Sequence, residues 1–147
     1  MNNLATRATT LPAMSDAAIV KVRELETALL AMPQVDPATT HNLHAGMYAR
    51  TITIPAGCVL TGAHIIIPTM LILSGDATVF DGVEPVRMNG YHVIQGYSGR
   101  KQAIHAHADT HLTMIFPTAS QSVEACENEF TDEPEMLVSR GERECLA

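Results

Sequence analysis

Positive charge is scarce in this chain: nine Lys and Arg stand against 16 Asp and Glu, for a formal net charge of −7. Without a basic stripe, a nucleic-acid backbone is excluded as an expected partner. Long apolar runs are missing as well. The stretch from Ile65 to Leu73 is interrupted by Pro68 and Thr69, well short of the ~20 residues that cross a bilayer as a helix, so no membrane association is expected. The first seven residues carry one positive charge with no apolar core behind them, and a secretory signal is not expected. Cysteine is sparse and odd in number. Cys58, Cys126 and Cys145 share no metal-ligand spacing, which points to a reduced, cytoplasmic setting rather than a disulfide framework. Tryptophan is absent and aromatics are 4%, against a hydrophobic content of 46%.

What is there fits one domain, since 147 residues are enough to bury a core. Acidity is concentrated at the end: from Glu124 onward eight carboxylates face only Arg140 and Arg143. Such a run is either a solvated face or a tail that docks on a basic surface of a neighbour.

Taken in order, residues 1–14 show no periodicity and are expected to form a flexible arm. Ser15 suits an N-cap and Asp16 suits a first helical turn, where the dipole favours negative charge. Ile19, Val22, Leu25, Ala28, Leu29 and Met32 recur at helical spacing until Pro33 stops the pattern, so residues 15–33 are predicted as an amphipathic helix packed on the rest. After Asp36-Pro37, His41 and His44 lie in a short segment. From Met47 the pattern alternates: Tyr48, Arg50, Ile52 and Ile54 share one strand face. Arg50 on that parity either snorkels at the strand end or projects inward as an anion-binding group.

Two β-branched runs between Gly57 and Gly75 read as buried strands, with His64 and Ile66 on the inward parity of the first. Turns are expected at Ser74-Gly75-Asp76, Asp81-Gly82 and Asn89-Gly90, and strands at 77–80, 85–88, 91–94, 100–107 and 110–116. Short strands at this interval indicate a sandwich or barrel over residues 34–118, followed by an acidic extension, residues 119–147, with a brief helical turn near Ser122 to Phe130.

The strand leading into Pro55-Ala56-Gly57, the Gly57–Gly75 stretch with His64 inside it, the Asp81-Gly82 hairpin and the Gly99–Phe116 pair together resemble the cupin superfamily, small jelly-roll β-barrels. The helix ending Ala-Met-Pro-Gln-Val-Asp before a Tyr-Ala-Arg strand is similar to small cupin-like proteins encoded by bacteriophages and prophages. The resemblance implies a mainly β fold, a cupin-like jelly-roll barrel with an N-terminal amphipathic helix. It also implies a divalent metal held by three imidazoles and a carboxylate. Here His64 is the one ligand left in the first motif, Ile66 stands where a second histidine belongs, and Arg100, Lys101 and Gln102 replace the histidine of the second motif. The expectation is therefore no resident metal and a non-catalytic barrel.

Other constellations stand beside it. His105, His107, Asp109 and His111 would share one face of an unbroken strand, and His64, His105 and His107 meeting across a barrel would make a relocated transition-metal site. That is the alternative reading, a metal-dependent enzyme. In a third, Arg50, Tyr91, Arg100 and Lys101 gather at a barrel mouth to hold a small anion. The cavity-lining candidates are thus Arg50, His64, Ile66, Tyr91, Arg100, His105 and His107. The expected partners are further copies of the chain and other phage proteins, in the host cytoplasm or in the virion.

Overall fold

A computed structural model describes residues 10–137 of the chain. In order the elements are β1 (Thr10–Leu11), α1 (Asp16–Leu30), β2 (Ala38–His44), β3 (Met47–Ile54), β4 (Val59–Thr61), β5 (Thr69–Phe80), β6 (Pro85–Gly96), β7 (Ala103–Ala106), β8 (Thr110–Pro117), α2 (Val123–Phe130) and a 3₁₀ turn at Pro134–Met136. The architecture is mainly β.

The strands form two layers that share one long hairpin. β5 and β6 pair along their whole length from Thr69↔Gly96 to Phe80↔Pro85, around the turn that Asp81-Gly82 signals. The first half of β5 also pairs with β8, which continues through β3 to β2, while β1 adds in parallel to β6 at the other edge. The second half of β5 pairs instead with β7, which carries β4. The switch falls at Gly75, which lies directly opposite Gly90. Gly75 has φ 148°, and a Cβ there would sit 2.5 Å from Thr110 Oγ1. A bare backbone is what lets β8 begin against it. The turns expected at Ser74-Gly75-Asp76 and Asn89-Gly90 are therefore bends inside two continuous twelve-residue strands.

Alternation along the strands fills the space between the layers. Tyr48 and Ile54 of β3, Leu71 and Leu73 of β5, and Met114 and Phe116 of β8 face Val79, Met88, Ile104 and Ala106 of the other layer. Tyr48 packs edge-on to Phe116 and stacks on Phe130 of α2. Three aromatic rings thus meet where the C-terminal segment closes the core.

α1 begins where expected. The Ser15 side chain accepts a hydrogen bond from the Ala18 amide at 3.1 Å, but the helix ends at Leu30, before Pro33. It lies on the outside of the barrel, with Ala18 and Val22 buried against Met14, Phe80 and Ala103. Residues 10–14 are no loose arm: Leu11 and Met14 are buried, and β1 pairs with β6. The rest of the expected arm, residues 1–9, lies outside the described residues. The segment holding His41 and His44 is a strand, β2. It joins β3 through a tight turn in which Ala45 and Gly46 both have positive φ, the geometry that matches hairpin twist.

The largest correction concerns residues 57–68. Only Val59–Thr61 is a strand. Beyond it the chain is pinned by isolated bridges, the Ile65 amide donating to the Arg100 carbonyl and the Ile66 amide to that of Phe130. The irregular residues shift the alternation by one, which exchanges inward for outward. Ile65 is buried and Ile66 is 38% exposed. Likewise the strand expected over residues 100–107 shrinks to Ala103–Ala106, because Arg100 and Gln102 make only isolated backbone bonds, to Ile65 and Gly62.

Ile65→Ala should therefore lower unfolding free energy by about 2–5 kcal/mol, whereas Ile66→Ala should cost less than ~1 kcal/mol. Urea denaturation of the two variants checks this, and equal losses would overturn the register.

Candidate functional site

Between the layers lies a cavity of about 440 Å³ whose wall is predominantly aliphatic. Ile54, Leu71, Leu73, Ile94, Ile104 and Met114 form its depth. The end of α1 and the Met32–Val35 segment border its mouth. Aliphatic walls follow from the composition: with few aromatics the inward positions are Leu, Ile and Val, which leave an interior unfilled where the layers diverge.

Three cations approach this interior, and the structure treats them differently. Arg50 projects inward from β3, 3.2 Å from Glu127 of α2 and with its guanidinium carbon 5.6 Å from the Phe130 ring centroid. Beside it the Tyr48 hydroxyl is 2.7 Å from His41 Nδ1. Burial, then the neighbouring Arg50 charge, pushes the His41 imidazole down. Lys101 is fully buried, and its Nζ donates to Glu26 of α1, to Glu133 and to the Gly62 carbonyl, each at 2.9 Å. Glu133 also receives Arg23 at 2.9 Å and the His64 amide at 3.0 Å. Burial alone would raise the Glu133 carboxyl; the hydrogen bonds from Lys101, Arg23 and His64 outweigh it and hold the group at about 2.

Arg100 is the third cation. It is 1% exposed and borders the cavity. Its Nη1 donates to the Tyr97 carbonyl at 2.6 Å and its Nη2 to Thr69 Oγ1 at 2.8 Å, while Nε is buried with no partner. The guanidinium rests on Gly96, where a Cβ would come within 2.7 Å of its central carbon. Burial pushes its pKa down to about 10, which leaves it charged at neutral pH.

Of the residues singled out in the sequence, Arg50 and Arg100 line the cavity and the other five do not. His64 turns to the C-terminal segment, its Nδ1 3.1 Å from Asp132. Ile66 faces outward, as does Tyr91, which is 67% exposed. His105 and His107 lie side by side on the outer surface, ring centroids 4.6 Å apart and planes tilted by 57°, and His107 is hydrogen-bonded to Thr78. Residues 107–109 break the strand, and His111 bonds Thr53 on β3. The relocated set of His64, His105 and His107 is therefore dispersed. Among the described residues no three His, Cys, Asp or Glu side chains gather to hold a metal ion, and no histidine lines the cavity. The donor set does not fit the metal that the cupin resemblance implies.

Sequence reasoning missed the counter-charges. The acidic segment is divided over its described part: Glu124, Asp132 and Glu135 are exposed, whereas Glu127 is 2% exposed and Glu133 is the hub of the Lys101 contacts. A signal was present, since Val123, Glu127 and Phe130 recur at helical spacing and place the carboxylate on the buried stripe. Arg140 and Arg143 lie outside the described residues. Cys58 and Cys126 are free thiols, the latter buried in α2.

No protein-family model and no curated protein matches this sequence. Solved structures do show likeness. A cupin superfamily protein from Desulfitobacterium hafniense is 12% identical over 61% of this chain and 87% of its own, with a TM-score of 0.46. An RmlC-like cupin family protein with a double-stranded β-helix fold from Methanocaldococcus jannaschii is 13% identical over 59% of this chain and 85% of its own, with a TM-score of 0.46. Salicylate 1,2-dioxygenase from Pseudoaminobacter salicylatoxidans is 15% identical over 68% of this chain, which spans 32% of that enzyme, with a TM-score of 0.47. The first two of these are described as cupins. At such identities the likeness concerns strand layout and carries no residue roles. No helix among the described residues is long and apolar enough to cross a membrane.

The Glu133 contacts set an acid limit. The folded carboxyl titrates near 2, below its ordinary 4.5, so the stabilisation is present above about pH 4.5 and is lost as pH falls toward 2. Melting temperature should drop across that window more steeply for wild type than for Glu133→Gln, whose curve starts lower and runs flatter. Parallel curves would assign the acid sensitivity elsewhere.

Proposed function

We propose that this chain is a non-catalytic cupin-like barrel that holds a small, mostly apolar molecule in its interior and acts as a homo-oligomer in an accessory or structural role. The cavity carries this reading. Its volume is within the range of sites for small ligands, about 300–1,000 Å³, and its wall offers aliphatic contact without the imidazole cluster that metal chemistry requires. The inward polar groups Arg50 and Glu26 are already engaged, with Glu127 and Lys101. Binding by displacement of loosely held water from an apolar wall follows from this lining.

A different observation favours the oligomer. By register, the outer face of the layer β6-β5-β8-β3-β2 presents Tyr91, Val93 and Gln95; Met70, Ile72 and Ser74; His111, Thr113 and Ile115; Ala49, Thr51 and Thr53; and Ala38, Thr40 and Asn42. None is Asp, Glu, Lys or Arg, and none is buried. A second copy is the occupant that fits. Two chains of net charge −7 repel, and a contact between charge-free faces keeps their carboxylates apart. Strand and residue spacings give the face about 500 Å² per copy, so a pair would bury about 1,000 Å², the lower bound for a specific interface. The resemblance to phage-encoded barrels adds other phage proteins as partners, and finding the chain in purified particles would support that role.

Decanol, a neutral apolar probe, should raise the melting temperature of wild type but not of Leu112→Trp, in which an indole fills the cavity. No shift for wild type up to the solubility limit would sink the ligand reading. For the oligomer, light scattering at micromolar concentration should give at least a dimer mass, and Val93→Glu should return a monomer with a melting temperature close to the parent's. A monomeric wild type would remove the interface.

A further inference from the structure

We propose that the ligand of this cavity carries an anionic head, a carboxylate on an apolar body, and that Arg100 is the group that receives it. The inference rests on the ligand-holding reading above and deepens it.

The argument turns on the different treatment of the inward cations. Arg50 has Glu127, and Lys101 has both Glu26 and Glu133. Arg100 is as deeply buried as Lys101, yet it makes no ion pair among the described residues. A guanidinium has five N–H donors; the Tyr97 carbonyl and the Thr69 hydroxyl take one each, and Nε has no partner. An uncompensated buried cation is among the costliest arrangements in a protein interior. Here it is retained at the wall of an otherwise aliphatic cavity. The neighbouring geometry is arranged to keep it: Gly96 leaves room for the guanidinium plane, and Thr69, directly opposite Gly96 in the hairpin, orients one of its nitrogens.

A carboxylate entering the cavity would supply the missing countercharge, and its oxygens match the fork of donors that a guanidinium presents. The aliphatic wall would enclose the rest of the molecule. In such a low-dielectric enclosure the charge pair is screened far less than at a surface. A neutral ligand of the same shape would gain the apolar contacts alone, and a cationic one would be repelled.

Isothermal titration of the full chain at pH 7.5 with decanoate, decanol and decylamine tests the proposal, together with Arg100→Met and Arg100→Lys. Wild type should bind decanoate at least tenfold more tightly than decanol, and decylamine least. Arg100→Met should bring decanoate down to the affinity of decanol, and Arg100→Lys should keep part of the preference. Should Arg100→Met fail to fold, the ranking of the three probes on wild type and the Arg100→Lys result still decide. Equal binding of decanoate and decanol by wild type would overturn the anionic head while leaving the apolar cavity reading intact. Failure of all three to bind would overturn both. A folded Arg100→Met that keeps the decanoate preference would remove Arg100 from the role.

Discussion

The structure depends on one buried ammonium. Lys101 Nζ sits where three separate parts of the chain meet: Glu26 from the N-terminal helix, the Gly62 carbonyl from the irregular stretch after β4, and Glu133 from the C-terminal segment. The helix and the C-terminal segment also bury apolar residues of their own, but the polar groups they bring to this point must be satisfied when buried. Removing the ammonium would leave Glu133 with Arg23 and the His64 amide and Glu26 with the Thr61 hydroxyl, and would remove the one group that touches all three parts at once. Position 101 is one of those where the cupin resemblance leads one to look for a histidine. The residue there ties the barrel to its own termini.

That substitution accounts for much of what was legible in the sequence and much of what was not. The mainly β architecture, the Ser15 cap, the Asp81-Gly82 hairpin and the short helix after Ser122 follow from local signals, because turn chemistry and capping act within a few residues. Gly75 and Gly90 misled for a physical reason. Glycine marks equally a turn and a strand that must bend closely past another, and only the pairing partner, 15 residues away, tells them apart. Ile66 misled because alternation holds only while a ladder is unbroken, and the bridges at Ile65 are made to residues 35 and 66 positions further on. For the site, parity puts Arg50 on the face of Ile52 and Ile54 but leaves snorkelling and inward projection open, and Glu127 and Phe130, which hold it inward, lie 77 or more residues on. Arg100 is a cavity-lining candidate in the sequence, but its burial with an unpartnered Nε is visible only in three dimensions.

Charge is sorted by location to an unusual degree. The outer face of the larger layer has no formal charge, whereas the interior and its rim hold Arg50, Lys101, Arg100, Glu127 and Glu133. Surfaces ordinarily carry the charge and interiors avoid it. The contrast fits the two proposals made above, a neutral sheet face for contact between like-charged copies and a charged group at the wall of the interior.

The countercharges for two of those interior cations arrive late in the chain. The last barrel strand ends at Pro117, but Glu127 and Glu133 follow it. During synthesis, which proceeds at about 5–20 residues per second, every strand is available before Arg50 and Lys101 have those carboxylates. A barrel closed at that moment would hold Lys101 with Glu26 and the Gly62 carbonyl but without Glu133, and Arg50 without Glu127. The emerging chain is thus disfavoured from closing early, and final closure is coupled to delivery of its acidic segment.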